Sequence, residues 1–248
     1  MNLKEALQYV VGLSKPNIFE LKDRNGDVHT FSDRTLNQVE ATIPVPITRN
    51  HISMNTLTSL IDYIKSSVDS MPGKMIVDVK DPTEVRLYSQ LNVNRERETL
   101  AVVRAELPSF NFDTFMDKEM FTIALRSKFI ANEDRDLVIK FSGTVEDGTV
   151  KEYGDDGITQ KATIKTGLAT KGDAKIPNPV HLIPFRTFLE VKQPGSDFVF
   201  RMRTGRSDEV TCAIFEADGG AWKHEATDSI KKYLEQQLEG IEGFIVIS

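Results

Sequence analysis

Residues 198–206 carry the residue types that best suit binding to a nucleic acid. They read FVFRMRTGR, so aromatic side chains alternate with basic ones. Proteins that bind single strands stack aromatic rings on bases and contact phosphates through arginines. In a β-strand, however, alternate residues point to opposite faces, which would separate the phenylalanines from the arginines. The candidate binding residues on this hypothesis are Arg186, Arg201, Arg203 and Arg206.

Two interpretations of these arginines stay open. In the first, the apolar side of the segment packs on a core and the arginines are solvated or paired with Glu190 and Glu209. In the second, they form a surface that binds phosphate groups.

A second candidate site is the acidic stretch around Asp155 and Asp156. Three further carboxylates lie close by in sequence, namely Glu146, Asp147 and Glu152. Mg²⁺ and Ca²⁺ prefer several carboxylate oxygens, so this stretch could support a metal-dependent nuclease or phosphoesterase. The spacing fits no EF-hand loop, and the interleaved glycines favour an acidic surface turn instead.

The other residues that could do chemistry match no site pattern. The four histidines stand at no metal-ligand spacing. Cys212, the only cysteine, lies in an apolar run and is expected to be a buried, unreactive thiol. The glycine turns near Gly172 and Gly205 match neither a Walker loop nor a dinucleotide fingerprint. We therefore expect no cofactor, and we favour a binding protein over an enzyme.

Composition limits the classes of protein that this chain can belong to. With 248 residues, 40% of them hydrophobic and 27% charged, it can bury a substantial core. The 31 basic and 37 acidic residues give a formal charge of −6, which disfavours a polycation for duplex DNA but permits a local basic strip. No apolar stretch approaches the ~18 residues of a membrane helix, and Glu5 and Gln8 interrupt any secretory signal. We expect a cytoplasmic protein that does not bind membranes.

Hydrophobic periodicity predicts an α+β fold with mainly antiparallel sheets, a few packed helices and a C-terminal helix. Residues 1–107 predict a helix, a hairpin at Asn25 and Gly26, a second helix and a β-meander. Residues 108–248 predict a helix up to about residue 130, then an antiparallel β section that includes a strand at 187–192, then a helix from Thr227. Residues 136–142 are ambiguous between helix and strand. The two sections form either two domains or one continuous domain.

Several short stretches resemble a known family. They are IPNP at 176–179, PFRTF at 184–188, Glu190, QP at 193–194, FVFR at 198–201 and FEADGGAW at 215–222. In these stretches the chain resembles the phage and prophage proteins related to the YfdQ prophage protein, and the similarity extends from about Phe19 to the C-terminal helix. The family has no assigned activity and supplies no catalytic residues. The resemblance implies a product of a phage early region that acts in the cytosol of a bacterial host.

These observations predict a non-enzymatic phage accessory protein that acts by binding, in nucleic-acid metabolism or in interference with host defence. Apolar surface at residues 112–130 and 244–247 predicts a homo-oligomer. The partner stays open between a nucleic acid, a phosphorylated ligand and a host protein. The alternative is a metal-dependent nuclease or phosphoesterase that uses Asp155 and Asp156.

Overall fold

The chain consists of two compact units. The computed structural model describes residues 3–14, 17–22, 28–32, 38–39, 47–48, 50–71, 73–93, 95–145, 151–152, 160–165, 171–175, 178–204 and 209–248. The first unit is Met1–Ile47 and the second is Thr48–Ser248. The organisation expected from the sequence, with residues 1–107 and 108–248 as two domains or as one continuous domain, stays a prediction. None of the described helices is long and apolar enough to cross a membrane.

The elements confirm the predicted α+β class. The described helices are α1 (Leu3–Ser14), α2 (Leu57–Ser66), α3 (Lys118–Lys128), α4 (Glu133–Thr144) and α5 (Trp222–Gln237). The described strands are β1 (Ile18–Lys22), β2 (Val28–Ser32), β3 (Gln38–Val39), β4 (Ile52–Met54), β5 (Met75–Asp81), β6 (Glu84–Tyr88), β7 (Thr99–Arg104), β8 (Met116–Asp117), β9 (Lys151–Glu152), β10 (Gln160–Lys165), β11 (Lys171–Lys175), β12 (Val180–Leu182), β13 (Ser196–Thr204), β14 (Val210–Glu216) and β15 (Phe244–Ile247).

The first unit contains α1 and a small antiparallel sheet of order β1-β2-β3. Strands β1 and β2 pair antiparallel, from Ile18 opposite Ser32 to Lys22 opposite Val28, as a hairpin requires. The turn residues Asn25 and Gly26 lie outside the described residues.

The second unit contains a five-stranded mixed sheet of order β15-β5-β6-β7-β4. Its three central strands, β5, β6 and β7, pair antiparallel with one another, while β15 and β4 add in parallel at the two edges. Helix α2 begins at a capping threonine, because the hydroxyl of Thr56 accepts a hydrogen bond from the amide of Ser59 at 3.1 Å. The apolar residues of α2 recur at helical spacing, so they share one buried face.

Helices α2 and α5 cover one face of this sheet. The cluster they form with it includes Leu57, Leu60, Ile61 and Ile64 of α2, Ile230 and Leu234 of α5, and Met75, Val77, Val79, Val85, Leu87, Ala101 and Val103 of the sheet. Because side chains alternate along a strand, the residues between these point to the opposite face, which we call the outer face.

A four-stranded antiparallel sheet of order β12-β13-β14-β8 forms a second core with α3 and α4. Phe198, Phe200 and Met202 of β13 are fully buried, and the ring of Phe200 stacks on Phe121 of α3 at 5.6 Å. Residues 136–142, which periodicity left ambiguous, belong to α4. The remaining described strands form a small sheet of order β11-β10-β9.

The predicted strand at residues 187–192 is wrong, because this segment is a loop between β12 and β13. The loop links the two cores: Phe188 is buried in the five-stranded core, although the strands on either side belong to the four-stranded sheet. The hydroxyl of Thr187 donates to the carbonyl of Pro82 at 2.6 Å and thereby attaches the loop to the β5–β6 turn.

The carboxamide of Gln193 replaces the strand hydrogen bonds that this loop lacks. Its Oε1 accepts from the backbone amides of Arg186 and Thr187 at 2.9 and 3.1 Å. Its Nε2 donates to the carbonyls of Thr187 and Phe188 at 3.1 and 2.9 Å. Gln193 is buried, so four backbone groups that water cannot reach depend on one side chain.

Replacing Gln193 by Ala is expected to destabilise the second unit by roughly 2–4 kcal/mol, because buried backbone groups lose their hydrogen-bond partners. Gln237→Ala, at an exposed position at the end of α5, is the matched control and should change stability little. Urea unfolding monitored by circular dichroism measures both. Equal effects of the two substitutions would contradict the role assigned to Gln193.

Candidate functional site

Arg186 lies inside the protein, not on an exposed binding surface. Its guanidinium donates to Glu216 Oε1 at 2.9 Å, to the carbonyl of Pro194 at 3.2 Å and to the hydroxyl of Ser196. It also stacks over the indole of Trp222, 4.1 Å from the ring centroid.

Burial lowers the pKa of Arg186 to about 10, although Glu216, Asp218 and Glu225 oppose the shift. Asp218 accepts from the hydroxyl of Ser196 and from the amide of Gly220. Burial alone would raise the pKa of Asp218, but these hydrogen bonds and the charge of Arg186 hold it below its ordinary value. The carboxylates of the same chain thus neutralise Arg186, which makes it a structural residue here.

The arginines of β13 follow the alternation expected of a strand. Phe198, Phe200 and Met202 face the core, whereas Arg203 is exposed and Arg201 is half-buried on the other face. The guanidinium of Arg203 covers the ring of Phe115 at 4.1 Å. Arg206 lies outside the described residues. A binding role for Arg201, Arg203 and Arg206 stays a prediction.

The acidic residues Asp155 and Asp156 also lie outside the described residues, so a metal site there stays a prediction. Elsewhere in the described ranges, no three potential metal ligands come together. Cys212 is fully buried, and burial raises the pKa of its thiol to about 12, although a hydrogen bond with Ser142 acts to lower it. This burial agrees with the prediction of a buried, unreactive thiol.

The outer face of the five-stranded sheet carries a group of charged residues that spacing alone did not indicate. Glu84 and Arg86 alternate with buried residues along β6, and Arg104 lies opposite Glu84 on β7. Lys80, near the end of β5, is four residues before Glu84 across the hairpin turn. We call Lys80, Glu84, Arg86 and Arg104 the Glu84 cluster.

The carboxylate of Glu84 accepts from all three basic side chains of the cluster. Lys80 Nζ lies 3.3 Å from Oε1, Arg104 Nε lies 2.8 Å from Oε2, and the guanidinium of Arg86 contacts Oε1. Glu84 is only 8% exposed, whereas the side chains of Lys80 and Arg104 are 48% and 61% exposed. The carboxylate is therefore buried beneath cations that reach solvent.

This arrangement determines the charge state of Glu84. Burial alone would raise its pKa, but the hydrogen bonds from Arg104, Arg86 and Lys80 outweigh burial and lower the pKa to about 2. The group is ionised throughout the physiological range. A carboxylate this weakly basic holds cations in place and is unsuited to general-base catalysis.

Aromatic and aliphatic side chains lie beside the cluster on the same face. Tyr88 follows Arg86 by two residues, and its hydroxyl accepts from Arg86 at 3.1 Å. Ile76 pairs with Tyr88 in the sheet, and Ile245 of β15 pairs with Ile76. The outer face thus combines charge with partly exposed apolar surface.

Sequence reasoning missed this site for a definable reason. The segment EVRLY at residues 84–88 has the alternation of any strand with one solvated face, and such charges are usually unremarkable. Only the register of β6 against β7 brings Arg104 to Glu84 across 20 residues of chain. The alternation of charged and apolar residues along β6 was the signal in the sequence. It does not show which residues of β7 pair with β6.

Comparisons with known proteins give this chain no relative. No family model matches it, and neither a curated protein nor a solved structure matches it significantly.

Replacing Glu84 by Gln is expected to destabilise the protein by roughly 1–3 kcal/mol at about pH 7, because three cations lose their shared carboxylate. The folded pKa of about 2 lies below the ordinary 4.5, so the contribution is complete above the ordinary value and declines as the pH falls towards 2. The difference between the urea midpoints of wild type and variant should therefore be clearly smaller at about pH 3 than at about pH 7.

Glu239→Gln removes one exposed carboxylate and serves as the control. A difference between wild type and Glu84→Gln that is the same at both pH values would contradict the assigned ionisation.

Proposed function

We propose that this chain is a non-enzymatic phage accessory protein that binds single-stranded nucleic acid on the outer face of its five-stranded sheet. The observation that carries the proposal is the Glu84 cluster, where three cations share one buried carboxylate beside Tyr88. The resemblance to phage and prophage early-region proteins supports a role during early infection in the bacterial cytosol.

The charge of this face favours a polyanionic partner. Lys80, Arg86 and Arg104 contribute three positive charges against the two negative charges of Glu84 and Asp78, which lies opposite Arg86 on β5. These five side chains therefore carry a net charge of +1, whereas the chain as a whole carries −6. A local positive field on an acidic protein directs a nucleic acid to that field and away from the rest of the surface.

The placement of Tyr88 favours a single strand. On β13 the aromatic and basic residues point to opposite faces, so they cannot contact the same strand together. Arg86 and Tyr88 are two residues apart, so they share one face, where a base can stack while its phosphate meets a cation. A sheet surface with stacking rings is a common platform for unpaired bases.

Replacing both Lys80 and Arg104 by Ala is expected to weaken binding to oligonucleotides of about 20 nucleotides by roughly tenfold or more, because two phosphate contacts are lost. The dependence of log affinity on log salt should become shallower by about 0.7 for each lost contact. Fluorescence anisotropy over a salt series measures both quantities. Both side chains are well exposed, and Arg86 still pairs with Glu84 in their absence, so the variant is expected to fold.

Lys232→Ala removes one positive charge from the exposed side of α5 and is the control. An equal effect of Lys232→Ala, or the absence of binding to single-stranded DNA and RNA at low salt, would refute the proposal. Capture of one host protein, or stabilisation by a nucleotide alone, would then favour the other partner classes.

We further propose that the protein is a homo-oligomer that associates through β15. Among the described residues, β15 pairs on one side only, with β5. Ile245 and Ile247 on this strand are 46% and 44% exposed, and a sheet edge with exposed apolar side chains favours association with another edge. Antiparallel pairing of two such edges about a two-fold axis would join two outer faces into one larger surface.

The wild-type chain is expected to elute as a dimer, and Ile245→Glu as a monomer, because a charge at the joined edge opposes the association. Ile123→Glu, at an exposed position on α3, should leave the dimer intact. Size-exclusion chromatography with light scattering measures the mass. A monomeric wild type at micromolar concentration would refute this proposal.

A further inference from the structure

A cavity of about 400 Å³ lies at one end of the five-stranded sheet. It is formed where β4, β5 and β7 begin, where β6 ends, and next to the C-terminal end of α2. Its volume is within the range of small-molecule sites, roughly 300–1,000 Å³. It is separate from the Glu84 cluster, none of whose residues line it.

The charged side chains that line this cavity are both acidic. They are Asp69, which follows α2, and Glu98, which precedes β7. None of the described lining residues is a lysine or an arginine. The guanidinium of Arg97 donates to the carbonyl of the lining residue Ser89 at 2.8 Å.

Each carboxylate is oriented by hydrogen bonds from a neighbouring residue. Asp69 Oδ2 accepts from the buried hydroxyl of Tyr63 at 2.7 Å. Glu98 Oε2 accepts from the backbone amide of Thr48 at 2.8 Å. The side chain of Thr48 also hydrogen-bonds to Glu98, and the two bonds from Thr48 hold the pKa of Glu98 below its ordinary value. The two side chains are thus held in position at the wall of the cavity.

Helix α2 adds to the negative potential. Tyr63 lies in the last turn of α2, which ends at Ser66, so the carbonyl end of the helix lies near Asp69. The C-terminus of a helix carries a partial negative charge that favours cations and disfavours anions. Burial raises the pKa of Tyr63 to about 12, and the charge of Asp69 adds to this, so the phenol stays a neutral donor.

The rest of the wall is partly aliphatic. Ile52, Met75, Leu91 and Leu100 line the cavity together with amide and hydroxyl side chains. An alkyl chain can contact such residues, while an ammonium group reaches a carboxylate. A phosphorylated ligand, by contrast, would meet two carboxylates, and the described lining residues would offer it no lysine or arginine.

We propose that this cavity binds a small organic cation, an alkylamine whose ammonium group is held by Asp69 and Glu98. The proposal is independent of the nucleic-acid surface, because it depends on different residues and on the opposite sign of charge. Either proposal can therefore be confirmed or refuted without the other.

Isothermal titration with 1,5-diaminopentane, and with 1,5-pentanediol as its neutral counterpart, tests the proposal. The wild-type chain is expected to bind the diamine saturably and the diol not detectably. Asp69→Asn and Glu98→Gln should each weaken diamine binding about tenfold, because each removes one charge-assisted hydrogen bond. Both substitutions keep the side-chain shape, and equal melting temperatures would establish that the variants fold.

Asp62→Asn, at an exposed position on α2 that does not line the cavity, is the matched control and should bind like the wild type. The proposal is overturned if the diol binds as well as the diamine, if no saturable binding occurs, or if Asp62→Asn weakens binding as much as Asp69→Asn. Anisotropy with oligonucleotides on the same variants should be unchanged, which separates this proposal from that of the outer face.

Discussion

The buried carboxamide of Gln193 is the constraint on which the second unit depends most. The loop from β12 to β13 has to leave one core, insert Phe188 into the other and return. Its backbone forms few strand or helix hydrogen bonds on this path, and buried backbone groups need partners. Gln193 supplies two donors and accepts from two amides, so one side chain takes the place of a strand neighbour. The same loop carries Arg186 to its internal carboxylates.

The elements that sequence predicted well are those whose burial follows a period. Helix α2 has an apolar stripe at helical spacing, and β13 alternates between core and surface along its length. A strand was wrongly predicted at residues 187–192 because Thr187, Phe188 and Val191 are residues that strands prefer. They are buried through a tertiary hydrogen-bond pattern, and local preference carries no information about such a pattern.

The candidate site illustrates the same limit for charged residues. Arg186 and Arg104 are equally basic in sequence, yet one lies beneath Trp222 among carboxylates and the other reaches solvent above Glu84. Strand register and loop path decide between these positions, and both are long-range properties. The two networks are also opposite in design: acidic groups surround one cation in the first, and basic groups surround one anion in the second.

The position of Cys212 gives the protein a built-in reporter. It is the only cysteine of the chain, it is fully buried in β14, and it packs in the core of the four-stranded sheet. A thiol reagent can reach the sulfur only when that core opens, and the scarcity of thiolate slows reaction further. The rate of covalent labelling therefore measures how often the native core opens, without an engineered probe.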